Sequence, residues 1–326
     1  MTPYRAPDWL PGGHAQTIYP LLIKPAPRSY RRQRWETPDG DFIDVDWADP
    51  PTASVSADSM PLLVLFHGLE GSSRSHYAIT LMSACTAIGW TGVVVHFRGC
   101  SGEINRLPRA YHSGDSTEID WILQRLQQLF PARPRYAVGV SLGGNALLKW
   151  LGERQGNAAN FLRAAAAISA PFDLGVSGHQ LACGLNRIYT HHFLQTLKRK
   201  AAEKLRHHPG LFDAQRMRAA SCLHEFDDVV TAPLHGFASA DDYWRRASSK
   251  PWMTAIRLPT LLLNARNDPF LPAQALPAAS QTAASVQAEF PQQGGHVGFV
   301  SGRLPGRLDW LPQRILHFFR NEVRDV

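Results

Sequence analysis

Four cysteines in 326 residues, none of them in a C-x-x-C pair, leave no basis for a disulfide framework or a cysteine-built metal site. Cys85, Cys100, Cys183 and Cys222 read as free thiols, and a reducing, cytoplasmic location is the expectation that follows. Long apolar runs are also missing. The apolar stretch "PLLVLF" (61–66) is far short of a bilayer span, and the opening "MTPYRAPDWLPGG" lacks the apolar core of a secretory signal. There is no internal repeat and no low-complexity tract. Positive charge is in excess, with 34 Lys and Arg against 27 Asp and Glu, but it is scattered rather than drawn into a stripe beside aromatic readers, which argues against nucleic acid as a partner. The densest basic run, "LKRKAAEKLRHH" (197–208), follows a helical spacing of Leu194, Leu197, Ala201 and Leu205. It reads as a solvated helix face, with weak contact to an anionic membrane surface as the alternative.

What is present suits a globular protein: 44% hydrophobic and 19% charged residues. The first thirty residues are Pro-rich and are expected to wrap the surface. "RQRWETPDGDFIDVDWAD" (32–49) alternates on both sides of a Pro-Asp-Gly turn, a hairpin signal, and "ADPPTASVSADSMP" (48–61) reads as a polar loop. From residue 61 the style changes. Apolar runs at 62–68, 91–99, 136–141, 164–171, 259–268 and 285–292 are continuous rather than alternating, as expected of strands buried on both faces of a parallel sheet. Stretches such as 77–90 and 116–130 supply crossover helices, giving an α/β fold with a mostly parallel central sheet flanked by helices. Residues 172–256 are too long for a simple crossover of about a dozen residues and are read as a helical cap inserted between two late strands of a single domain, 1–326.

In "YAVGVSLGGNALLKW" (136–150) a buried strand runs through G-x-S-x-G into a helical pattern. Glycines at 139 and 143 remove side chains that would crowd a sharp turn and leave the Ser141 hydroxyl outward at a helix N-terminus. A serine hydroxyl at neutral pH needs a histidine to accept its proton and a carboxylate to orient that histidine. Of fourteen histidines, His296 in "QGGHVGF" follows the last strand in a Gly-flanked loop, whereas His317 lies within a helical pattern. Asp268 ends "TLLLNARND" before Pro269, at the sheet rim where catalytic groups collect; Asp227 and Asp228 in the cap are its rivals. Leu142, after the serine, and Leu69, in "HGLEGS", are the expected backbone donors of an oxyanion hole. His67 is expected to brace that loop, "FRGCSG" (97–102) to line the pocket, and Cys100 to be a buried small residue. The pairs His191-His192 and His207-His208 lack a surrounding ligand framework, so no metal and no cofactor is expected.

These residues carry a resemblance. "HGLEGSSRSHYA", "VVVHFRGCSGEINRLPRAYHSGD", "VGVSLGGNALLKWLGE", "EFDDVVTAPLHGF", "NARNDPF" and "GGHVGF", with "GGHAQTIYP" near the N-terminus, are similar to the YheT-like branch of the α/β-hydrolase superfamily over nearly the whole chain. The resemblance implies a carboxylic ester hydrolase with a Ser141-Asp268-His296 triad and an acyl-enzyme. It also implies a small-molecule or lipid ester substrate, such as a short- to medium-chain ester or a monoacylglycerol. The departures from the family lie in the cap and bear on acyl-chain preference. Two other classes stay open on the sequence: acyl transfer by the same triad, and a noncatalytic lipid-binding protein on a hydrolase scaffold.

Overall fold

The structure is a computed structural model that describes residues 2–23, 25–51 and 60–323. Most of the 48–61 loop, residues 52–59, lies outside that range. The hairpin forms as expected, with β1 (Arg31–Glu36) antiparallel to β2 (Phe42–Ala48). The later apolar runs give β3 (Leu62–Phe66), β4 (Thr91–Val95), β5 (Arg135–Val140), β6 (Ala164–Ile168), β7 (Thr260–Leu263) and β8 (Val286–Glu289). They join in one sheet of order β1-β2-β4-β3-β5-β6-β7-β8, in which β4 through β8 pair in parallel and only the hairpin edge is antiparallel.

The continuous apolar character of these strands has a packing cause. Leu62, Val64 and Phe66 of β3 enter one core together with Val93 and Val95, while Leu63 and Leu65 enter a second core with Val94. Successive side chains point to opposite faces, so a strand covered on both faces has no solvated position for a polar residue. Burying each Leu or Phe contributes about 1.5–3 kcal/mol.

Eleven α-helices lie among the described residues. They are α1 (Gly13–Ile18), α2 (His76–Ala87), α3 (Ser116–Leu129), α4 (Leu142–Arg154), α5 (Leu174–Leu181), α6 (Arg187–His207), α7 (Ala214–Ala219), α8 (Leu223–Phe226), α9 (Ala232–Leu234), α10 (Ala240–Ala247) and α11 (Trp310–His317). Helices α5 to α10 form the insertion between β6 and β7. Its two ends are tied to each other, because the Lys250 amide donates to Phe172 O at 2.9 Å and Lys250 Nζ lies 3.1 Å from Asp173 Oδ2. They are also tied to α4. Asn145, fully buried, donates to Ser113 O and Ala247 O and accepts from the Ser249 amide. Further along α4, a side chain on Gly152 would come within 2.5 Å of Trp252 O.

The insertion has small cores of its own. Leu194 and Ala201 of α6 are buried against Met217, Phe226 and Val230, with Leu197 and Leu205 packed beside them, as the helical spacing requires. The basic run on this helix is not simply a solvated face. Lys204 is buried, with Nζ donating to Asn105 O and Leu107 O, and burial pulls its pKa down to about 8. Lys200 also turns inward. The helix lies across the β4–α3 connection, and the long stem of Lys204 carries its ammonium to carbonyls there. No described helix is long and apolar enough to cross a membrane.

Candidate active site

Ser141 stands between β5 and α4 with φ 51° and ψ −120°, a conformation that costs a non-glycine residue about 1–3 kcal/mol. The surroundings enforce it. The Ser141 amide donates to Ile168 O at 2.8 Å, extending the sheet pairing, and the Asn145 amide returns to Ser141 O at 3.1 Å. A side chain at Gly143 would come within 2.4 Å of Phe66 O, and one at Gly139 within 2.4 Å of Gly143 O. Neither can exist if helix and strand are to approach this closely. The hydroxyl makes no capping bond to α4 and so is left for another partner.

That partner is His296, whose Nε2 lies 2.9 Å from Ser141 Oγ. Its Nδ1 lies 2.9 Å from Asp268 Oδ2, and the other Asp268 oxygen accepts the Phe270 amide at 2.8 Å. The aspartate is 5% exposed, and the Phe270 ring packs on the imidazole at 4.1 Å. A carboxylate fixed in this way holds the histidine with its proton on Nδ1, leaving Nε2 able to accept from the hydroxyl. The rivals are elsewhere. Asp227 accepts from Thr231 Oγ1 and Trp244 Nε1 inside the insertion, and burial pushes its pKa up to about 6. Asp228 accepts from the Ala240 amide.

The Pro-rich N-terminal segment does more than wrap the surface. Gln16 is fully buried, and its Oε1 accepts the Gly294 amide at 2.7 Å and the Asn267 side chain at 3.0 Å. Thr17 Oγ1 accepts the His296 amide at 2.8 Å. A side chain at Gly298 would sit 2.0 Å from Gln16 O, so the histidine loop is moulded onto α1. Sequence reasoning missed these roles. The only signal was the "GGHAQTIYP" motif itself, because polar residues in a short helix do not name a partner hundreds of positions away.

The two expected oxyanion donors both border the same cavity as the serine. Leu142 is the first residue of α4, where an amide has no intrahelical acceptor, and Leu69 lies in the loop after β3. The flanking amides of that loop are anchored: Gly68 donates to Tyr77 Oη and Glu70 to Tyr111 Oη, each at 2.9 Å. Glu70 has φ 55°, and its carboxylate accepts from Tyr111 Oη at 2.8 Å and Lys200 Nζ at 2.9 Å. A cap lysine thus reaches the loop that carries Leu69. His67 is fully buried and braces the same loop. Its Nδ1 donates to Gly68 O and its Nε2 accepts the Phe97 amide, while burial holds its pKa down to about 3. Cys100 is buried as well; burial raises its pKa to about 11, although Lys200 Nζ is 3.3 Å from its sulfur.

Ser141 lies at the junction of two cavities. A narrow one of about 160 Å³ runs beneath the insertion and is mostly apolar, with Leu197, Phe212, Phe226, Val230, Leu234 and Trp244 among its walls. Arg98 of "FRGCSG" borders it, held by Glu118 and Asp41. The second, about 480 Å³, opens on the other side between the N-terminal segment, the Leu69 loop and the start of α6. No group of three metal-ligating side chains forms among the described residues.

Residues 61–302 match the family described as "alpha/beta hydrolase fold". The chain is 42% identical to "Putative esterase YheT" of Escherichia coli over 93% of its own length and 88% of that protein's. It is 29% identical to human "Phospholipase ABHD3" over 97% of its length and 78% of that protein's. Among solved structures, the Pyrococcus furiosus esterase Pf2001 superposes with a TM-score of 0.57 at 12% identity, covering 99% of this chain and 97% of that one. The chain belongs to the α/β-hydrolase fold family, in its broad esterase- and lipase-like group.

Proposed function

We propose that this protein hydrolyses carboxylic esters, with Ser141 as nucleophile, His296 as general base and acid, and Asp268 as the group that orients and balances the imidazole. The observation that carries the reading is the unbroken series Asp268 Oδ2, His296 Nδ1 and Nε2, Ser141 Oγ, with 2.9 Å at each hydrogen bond. In this reading Ser141 Oγ attacks the ester carbonyl and its proton passes to His296 Nε2. The oxygen of the tetrahedral intermediate is received by the amides of Leu69 and Leu142, and the leaving alcohol takes the proton from His296. Water, deprotonated by the same nitrogen, then attacks the acyl-enzyme and restores the serine.

The substrate in this reading is a lipid-like ester. The narrow apolar cavity takes an acyl chain of short to medium length or the chain of a monoacylglycerol, and the wider cavity takes the alcohol. The likeness to a phospholipase supports a lipid as the source of that ester. Residues 172–256 act as the cap of one hydrolase unit spanning the chain.

A fluorophosphonate probe is expected to label the wild-type protein and not Ser141→Ala. Hydrolysis of a p-nitrophenyl ester series should fall by about four to six orders of magnitude in Ser141→Ala and His296→Ala. Labelling at another residue, or none on folded protein, would overturn the mechanism. Acyl transfer, which uses the same groups, is distinguished by product analysis with added alcohol: it replaces hydrolysis if acyl groups appear in ester rather than acid.

A further inference from the structure

Two segments that border the wide cavity carry apolar side chains that no core uses. Among the described residues the large hydrophobic side chains left exposed are Ile18, Leu21, Leu22, Leu129, Leu185, Ile188 and Leu304. All but Leu129 and Leu304 fall on two short segments, the end of α1 with the turn after it and the entry to α6. Although far apart in sequence, these segments touch: His14 Nδ1 lies 3.1 Å from Tyr189 Oη, and the two rings are stacked. Both border the opening, the first through Pro20, Leu21 and Ile23 and the second through Tyr189 and His192.

The two segments themselves carry charge of one sign. Residues 10–28 and 183–200 contain no aspartate or glutamate, while Arg187 and Arg199 stand exposed on α6 and Arg74 stands exposed on the far side of the opening. Glu70, the carboxylate that borders the opening, is taken up by Lys200 and Tyr111. Apolar side chains clustered with cations, on two segments that carry no acidic residue, match the boundary of an anionic bilayer, where leucines enter the acyl layer and arginines meet headgroups. Scattered exposed leucines would mean little. Five of the seven fall on two touching segments that border one cavity, and that concentration says where it faces.

We propose that the exposed apolar side chains Ile18, Leu21, Leu22, Leu185 and Ile188, on the two segments that border the opening, dock on an anionic phospholipid surface and hold the opening beside Ser141 against the lipid from which substrate enters. The proposal rests on the ester-hydrolase reading for its purpose, and it specifies that reading's substrate as a membrane-resident lipid ester. It also relocates the membrane contact suggested by the basic run 197–208. Lys200 and Lys204 face inward, so the contact falls to the apolar entry of α6 and to the N-terminal segment.

The test is flotation of the full chain with vesicles of phosphatidylcholine alone and with phosphatidylglycerol added, carried out on Ser141→Ala so that lipid turnover plays no part. Binding is expected with the anionic vesicles and weak binding without them. Replacing Leu22, Leu185 and Ile188 together by serine should weaken partitioning about tenfold or more, while turnover of soluble p-nitrophenyl butyrate by the same triple variant in the Ser141 background stays unchanged. Arg187→Gln with Arg199→Gln should remove much of the preference for anionic lipid without touching the apolar patch. The proposal is overturned by absence of binding to either vesicle or by equal binding of the serine variant. It is also overturned if the wild type elutes as a dimer that the serine substitutions convert to monomer, since the patch would then cover a second copy. Because flotation needs no catalysis, docking can succeed where the hydrolase reading fails, and the reverse.

Discussion

The rim of the sheet and the insertion above it are built from different kinds of contact. At the rim, backbone meets backbone. Gly143 lies against Phe66 O, Gly298 lies against Gln16 O, and the Ser141 amide is bonded to Ile168 O. Over most of the insertion the decisive contacts are made by side chains: Lys200 to Glu70, Trp244 to Asp227, Asn186 to Pro269 O. Backbone contacts fix atoms to within tenths of an ångström and tolerate no added group, whereas side-chain contacts can be exchanged for others of similar volume. One region is therefore suited to holding a reaction geometry and the other to setting a pocket's shape. The two meet at Asn145, which anchors the insertion one turn of helix beyond Ser141.

The comparison is broken most severely at Asp268. Asp268→Asn keeps the fold but lets the histidine adopt the wrong tautomer, and kcat is expected to fall by about 10⁴ with the melting temperature little changed. Steady-state kinetics beside thermal unfolding would show this. A loss below about tenfold would mean that the rim does not orient His296 through this carboxylate.

A smaller effect is expected where the insertion reaches the rim. Lys200→Met removes the cation that holds Glu70, loosens the loop carrying Leu69, and should lower kcat about tenfold with KM less affected, part of the loss that removal of an oxyanion donor itself would cause. Lys200→Arg should recover some of it. If KM changes and kcat does not, the cap shapes the pocket without positioning the loop.

The smallest effect separates the regions by pH. Burial raises Asp227 in the insertion from an ordinary 3.8 to about 6, so the folded protein holds this proton more tightly than the unfolded chain does. Its contribution to stability is full below about pH 4, falls as pH rises to about 6, and is flat above that. His67 at the rim has the opposite sign. Held down to about 3 from 6.5, it destabilises the fold as pH falls through that window. Thermal unfolding of Asp227→Asn against wild type should show a difference that grows in favour of asparagine between about pH 4 and pH 6 and is constant above. A difference independent of pH would remove Asp227 from this account.

Much of the rim was legible in the sequence because its signals are local. A buried strand shows as a continuous apolar run, and a sharp strand-to-helix turn shows as glycines two positions from Ser141. A residue following a strand in a parallel sheet must emerge at the same edge as its neighbours, which puts Leu69, Ser141, Asp268 and His296 within reach of one another. The insertion was legible as a length and a helical spacing, but the direction of its charges was not. Lys200 and Lys204 read as solvated because nothing local to α6 names Glu70, Asn105 or Leu107 as acceptors. The N-terminal segment read as a wrapping because its partners, Gly294 and His296, lie at the far end of the chain.

The sequence by itself determined the strands, their mostly parallel character and the turn that exposes Ser141, since each depends on contacts between near neighbours or on the two-residue period of a buried strand. Only the tertiary structure decided that Gln16 and Thr17 hold the histidine loop, that a cap lysine reaches the loop of Leu69, and that two distant segments carrying exposed leucines border one cavity. Those are contacts between surfaces that the chain brings together only after it has folded, and no spacing along the chain records them.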